Sequence, residues 1–124
     1  MRSVLVALLA LLPATALADR IYNGDKSVTH DCAKDPEVVV NASGGTYTFT
    51  GACTKLVFTG SDGKVKAESV AKLVLSGSKN TVDVDALEKA TVTGNDNTVT
   101  YKQGISGKPK YVATGTSNKF NQVK

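Results

Sequence analysis

The side chains that most often carry covalent or acid–base chemistry are scarce in this sequence. There is one histidine, His30, and there are two cysteines, Cys32 and Cys53. No Cys-x-x-Cys or His-x-x-His spacing gathers them into a metal site, and no motif pairs them for catalysis. Asp83 and Asp85 stand two apart on one side of a strand and are the nearest approach to paired carboxylates. They belong to a single strand, with no general base beside them, so solvent is their expected destination. The turns Ser61-Asp62-Gly63 and Asn95-Asp96-Asn97 resemble calcium loops, but such a site needs roughly six to eight oxygens, and the turn between them carries Lys79. The expectation is therefore a chain that is not an enzyme and takes no cofactor or metal.

What remains for the cysteines is each other. Met1-Arg2 precedes an unbroken apolar run from Val4 to Leu12, then Pro13 and the small-residue site Ala16-Leu17-Ala18, which reads as a signal peptide over residues 1–18. The run falls short of the roughly 20 residues that a membrane-spanning helix needs, and no cysteine sits at the cleavage point to take a lipid. Residues 19–124 then form one exported domain, secreted or periplasmic, with no membrane span after cleavage. In an oxidising compartment Cys32 and Cys53 are expected to form a disulfide. With 124 residues, 21% of them charged and 41% hydrophobic, the chain suits a single soluble domain with a core.

The elements that hold these residues follow from an internal repeat of seventeen. From Val39, the segments VVNASGGTYTFTGACTK, LVFTGSDGKVKAESVAK and LVLSGSKNTVDVDALEK align without gaps, and ATVTGNDNTVTYKQGISGKPK and YVATGTSNKFNQVK follow. Extra residues in the fourth unit, at Gln103 to Lys110, are rich in Gly, Lys and Pro and read as a loop. Each unit alternates apolar and polar residues, turns at a glycine, then alternates again, which makes two short strands around a turn. Gly60, Gly77, Gly94 and Gly115 fall in one column, and Asn80, Asn97 and Asn118 in another three positions on. Asparagines stacked one per coil can hydrogen-bond along the stack and tolerate left-handed backbone angles. The fold class is thus all-β, a short parallel β-helix (β-solenoid) of about five coils, right-handed by the crossover rule. A β-sandwich or antiparallel barrel would not bring the glycine, asparagine and apolar columns to one period.

The alternation sends Leu56, Leu73, Ala90 and Tyr111 inward, with Phe58, Leu75, Val92 and Ala113 in a second column and Val65, Val82, Val99 and Phe120 in a third. Cys53 shares a further column with Val70 and Leu87. A longer first coil around Asp35-Pro36-Glu37 then brings Cys32 to the adjacent layer, within the Cα separation a disulfide accepts.

The repeated Gly77-Ser78-Lys79-Asn80-Thr81-Val82 and Gly94-Asn95-Asp96-Asn97-Thr98-Val99, with the paired cysteines and the closing Gly115-Thr116-Ser117-Asn118, resemble the exported bacterial family catalogued as domain of unknown function 3060. The resemblance covers nearly all of the chain after the leader. It implies a small secreted or envelope protein and brings no catalytic residue with it.

Outward columns are where a solenoid can carry function. Val40, Val57, Val74, Thr91 and Val112, beside Ala42, Thr59, Ser76, Thr93 and Thr114, form a strip without charge. Such a strip suits self-association as a homodimer, docking on an envelope protein partner, or ordering water as an ice-binding array; its bland explanation is that β-branched residues suit strands. Lys55, Lys72 and Lys89 place one lysine on each coil, with Lys108 and Lys110 near their continuation. A formal net charge of +4 supports an acidic partner, envelope polysaccharide or lipopolysaccharide, unless Glu68, Asp85 and Glu88 merely balance a solvated column. Nucleic acid is not expected, because aromatic and basic residues are not interleaved. The function expected is a non-catalytic structural or binding module.

Overall fold

The computed structural model describes residues 20–24 and 26–123; the expected signal peptide at 1–18 lies outside the described residues. The described strands are β1 (Arg20–Asn23), β2 (Ser27–Asp31), β3 (Glu37–Asn41), β4 (Thr46–Ser61), β5 (Lys64–Ser78), β6 (Thr81–Asn95), β7 (Thr98–Gly104), β8 (Lys110–Thr116) and β9 (Lys119–Gln122). Every pairing among them is parallel, and strands one coil apart in sequence lie side by side. The chain is a β-solenoid. Among the described residues no helix is long and apolar enough to cross a membrane.

The stack has two main sheets, here called limbs. The first limb runs through β1, β3, the second half of β4, the second halves of β5 and β6, and β8. The second runs through β2, the first halves of β4, β5 and β6, then β7 and β9. Each limb has six rungs, so there are about six coils where the repeat implied about five. The N-terminal coil is hidden from a seventeen-residue search by its steps. Arg20 pairs with Val38 and Val38 with Leu56, eighteen apart each time, and His30 pairs with Phe49, nineteen apart. Only from Leu56 to Leu73 to Ala90 does the step settle at seventeen.

One register assignment changes as a result. Aligning Val39 with Leu56 put Val40 and Ala42 on the outer strip, whereas Val40 is fully buried and stacks on Phe58, and Val39 and Asn41 take the outward places beside Val57 and Thr59. The extra residue of that coil is absorbed in a bulge between Phe49 and Ala52. There Gly51 adopts a φ of 79°, and its N–H donates to Glu68 Oε1 at 3.0 Å, so the ladder resumes one residue later.

The inward columns fill the space between the limbs. Leu56, Leu73 and Leu75 are fully buried, as are Val65, Val82 and Val99 to within 2%. Each such side chain contributes roughly 1.5–3 kcal/mol. Among the described residues no rung lies beyond β8 on the first limb, and Ala113 is exposed there although it points inward. Aromatic rings close that end: Tyr111 stacks on Phe120 at 4.2 Å, and Phe120 on Tyr101 at 4.8 Å. The Tyr111 hydroxyl is buried there without a partner, and desolvation pushes its pKa up.

The turn between the limbs repeats as one hydrogen-bonded motif. Asn80 Nδ2 donates to the Gly60 carbonyl at 2.9 Å, Asn97 Nδ2 to Gly77 at 3.0 Å and Asn118 Nδ2 to Gly94 at 2.9 Å. Each asparagine also ties two coils together, because Asn97 Oδ1 accepts from both the backbone N–H and Nδ2 of Asn80, at 3.1 Å each. The left-handed angle expected at the asparagines lies one residue earlier. Asp62, Lys79, Asp96 and Ser117 all have φ of 56°, so Asp62 and Asp96, read as calcium-like, sit in the turn for its backbone shape.

Cys32 and Cys53 form a disulfide with a Cα separation of 4.9 Å, and both are 1% exposed. It fastens the N-terminal coil to the next at the corner after the second limb, closing a loop worth about 3 kcal/mol of chain entropy. Replacing both cysteines by alanine should lower unfolding stability by about 3 kcal/mol. Amide exchange should quicken first in β1 and β2 while β5 stays protected; equal quickening throughout would contradict the staple.

Candidate functional site

His30 is occupied structurally. It is 5% exposed; its Nε2 lies 2.9 Å from the Asp35 carbonyl, which can only accept, so Nε2 donates, and Nδ1 is hydrogen-bonded with the Tyr22 hydroxyl at 2.8 Å. Among the described residues no group of three or more His, Cys, Asp or Glu is placed to hold a metal ion. Asp83 and Asp85 both face outward on the second limb, and Asp85 pairs with Lys102 at 3.5 Å.

The outer side of the first limb carries a lysine column beside uncharged columns. Strand alternation places residues two apart on the same side, about 6.7 Å from each other, and the stack repeats them about every 4.8 Å. Lys55, Lys72, Lys89 and Lys110 are register partners in one column, and Glu37 takes the same position on the β3 rung. Lys108 falls in the loop before β8. Two residues along each strand stands the column Ile21, Val39, Val57, Val74, Thr91 and Val112. Beside it come Asn23, Asn41, Thr59, Ser76, Thr93 and Thr114. The lysines and the uncharged strip, distinct features in the sequence, are thus neighbouring columns of one face. Val57 and Val74 are half-buried by their neighbours, and Val112, on the last rung, is 54% exposed.

Stacked ammonium groups repel, and the first limb offers little to balance them. Of the carboxylates expected to soften the column, Glu68 and Asp85 stand on the second limb, Glu68 engaged with Gly51 and Asp85 with Lys102. Glu88 is at the corner immediately before Lys89. Glu37 stands beside Lys55 on the adjacent rung, while Lys72, Lys89 and Lys110 have other lysines as their register neighbours. As an ice-like lattice the face is irregular, since threonine fills both uncharged columns only at Thr91 and Thr93.

Sequence reasoning missed Ile21 and Asn23, which extend the strip by one rung, and Val39 and Asn41, which take the places given to Val40 and Ala42. The signal that could have found them is the run Val38-Val39-Val40, a buried strand whose side assignment depends on the bulge. A further uncharged column, Ser61, Ser78, Asn95 and Thr116, was also overlooked, although it follows the turn glycines at a fixed offset.

A family model described as protein of unknown function (DUF3060) matches residues 40–83 and, separately, 72–117. The second match is displaced by roughly two coils from the first, as expected of a repeating stack. No curated protein and no solved structure matches the chain.

Proposed function

The chain belongs to the family of proteins of unknown function (DUF3060), which brings no activity with it, and from the outer face of the first limb we propose a function: an exported, non-catalytic binding module that lays an acidic polysaccharide of the cell envelope along Lys55, Lys72, Lys89 and Lys110. The observation that carries this reading is the register of those four lysines on consecutive rungs. A row of charges about 4.8 Å apart suits a polymer with acidic groups along its length better than a compact anion, which would meet one or two of them. The uncharged columns alongside give the polymer's apolar and hydroxyl-bearing surface a flat place to rest. Export is supported by the leader-like start of the sequence and by the Cys32–Cys53 bond.

The test is retention on immobilised polygalacturonate and on lipopolysaccharide. The protein should bind at low ionic strength and elute as salt rises, since these contacts are screened over about 10 Å at 0.1 M. Lys72→Glu with Lys89→Glu should abolish retention, whereas Lys102→Glu on the second limb should leave it. No retention of the unaltered protein on either matrix, or full retention of the double variant, overturns the reading. Retention on lipopolysaccharide alone moves the ligand to a lipid-borne acidic glycan.

The continuity of the uncharged columns favours a second reading, pairing of two copies across this face. In that case the unaltered protein sediments as a dimer and Val74→Asp converts it to a monomer.

A further inference from the structure

The outer side of the second limb differs in kind from the first. Three shallow depressions of about 240–280 Å3 open on it, and all three are lined by both Lys66 and Asp83. The depressions adjoin one another through these shared residues, and the first two together give a groove lined from β4 to β7. Lys66 and Asp83 are register partners on β5 and β6, with Thr48 before them and Thr100 after. The neighbouring column adds Glu68, Asp85 and Lys102.

The state of these charges is informative. Asp85 and Lys102 close on each other at 3.5 Å. Lys66 and Asp83 face each other across adjacent strands, yet among the described residues neither takes part in an ion pair or a side-chain hydrogen bond. An ammonium with three donors and a carboxylate with two acceptor oxygens therefore remain available on the groove floor, flanked by threonine hydroxyls that do both.

The depressions carry charges of both signs, Lys66 and Lys102 against Glu68, Asp83 and Asp85, so a polymer of single charge would meet repulsion as well as attraction. A ligand that suits such a surface carries groups that donate and accept at once, closely spaced and without net charge. Vicinal hydroxyls fulfil this, since one can donate to Asp83 while its neighbour accepts from Lys66. The linings together span the rungs from β4 to β7, which favours a chain over a single unit.

We propose that this groove binds a neutral saccharide chain laid across the rungs, with Asp83 and Lys66 gripping the hydroxyls of one unit. The site is distinct from the lysine face and independent of it: an acidic polymer belongs on the first limb, a neutral one here.

The test is a titration of the 15N-labelled protein with cellohexaose, maltohexaose and chitohexaose, read by amide chemical shifts. At least one should give saturable shifts confined to the second limb between Thr48 and Lys102, unchanged at high salt. Asp83→Ala and Lys66→Ala should each weaken binding roughly tenfold, equivalent to about 1.4 kcal/mol. Both side chains are exposed, so the remaining spectrum should be undisturbed, which verifies the fold. Absence of second-limb shifts with all three sugars overturns the proposal. So do shifts that survive both substitutions, or shifts that map to the first limb and fade with salt.

Discussion

Gly77→Ala should cost more than about 4 kcal/mol, at the extreme for a single substitution and close to the whole stability of many domains. Gly77 has φ of 127°, where a residue with a side chain is strained. A Cβ there would be driven into the carbonyl oxygen of Gly60, one coil away. Backbone shift gives no relief, because the rung spacing is set by hydrogen bonds on both limbs, and Gly60, Gly94 and Gly115 repeat the same contact. Gly107→Ala is the control. That glycine lies in the loop with φ of 88° and nothing near its would-be Cβ, so only the conformational penalty applies, about 1–2 kcal/mol. Urea unfolding of the two variants should separate them widely; equal midpoints would mean that the glycine column is not in contact.

Asn97→Ala should cost about 3–6 kcal/mol, because it strands buried groups rather than merely deleting a contact. The Asn80 backbone N–H loses its Asn97 Oδ1 acceptor, Asn80 Nδ2 keeps only the Gly60 carbonyl, and the Gly77 carbonyl loses the Asn97 Nδ2 donor. Both Asn80 and Asn97 are fully buried, so water does not replace these partners. Asn118→Ala should cost less, since Asn118 lies half-buried in the last turn, where water reaches what is left. A ladder of merely surface asparagines would give the same small loss at all three positions in chemical denaturation.

The middle of the molecule was legible in the sequence for a physical reason. From Leu56 to Lys89 the coils have one length, so side chains that stack also repeat, and the columns of Leu73, Asn80 and Val82 could be drawn directly. The N-terminal coil was not. Steps of eighteen and nineteen blur the period, and Val38-Val39-Val40 offers no polar residue to mark which side faces solvent, so only the bulge at Gly51 decides that Val40 goes inside. Lys79 gave no hint of its left-handed backbone, because the turn geometry imposed by Gly77 and Asn80 overrides its preference. The lysine column was visible, but its adjacency to the uncharged strip needed the limb geometry. The groove was invisible for a subtler reason: Asp83 was read along its strand with Asp85, whereas the relation that shapes the groove runs across rungs to Lys66.

Both proposed binding faces require that residues seventeen apart in the middle coils lie over one another. Cross-strand nuclear Overhauser contacts among backbone protons test this most directly. The account predicts contacts linking the neighbourhoods of Leu56, Leu73 and Ala90, with the residue numbers rising together along each pair of strands. Contacts in which one number falls as the other rises would show antiparallel pairing, and with it Lys55, Lys72 and Lys89 would no longer form a column.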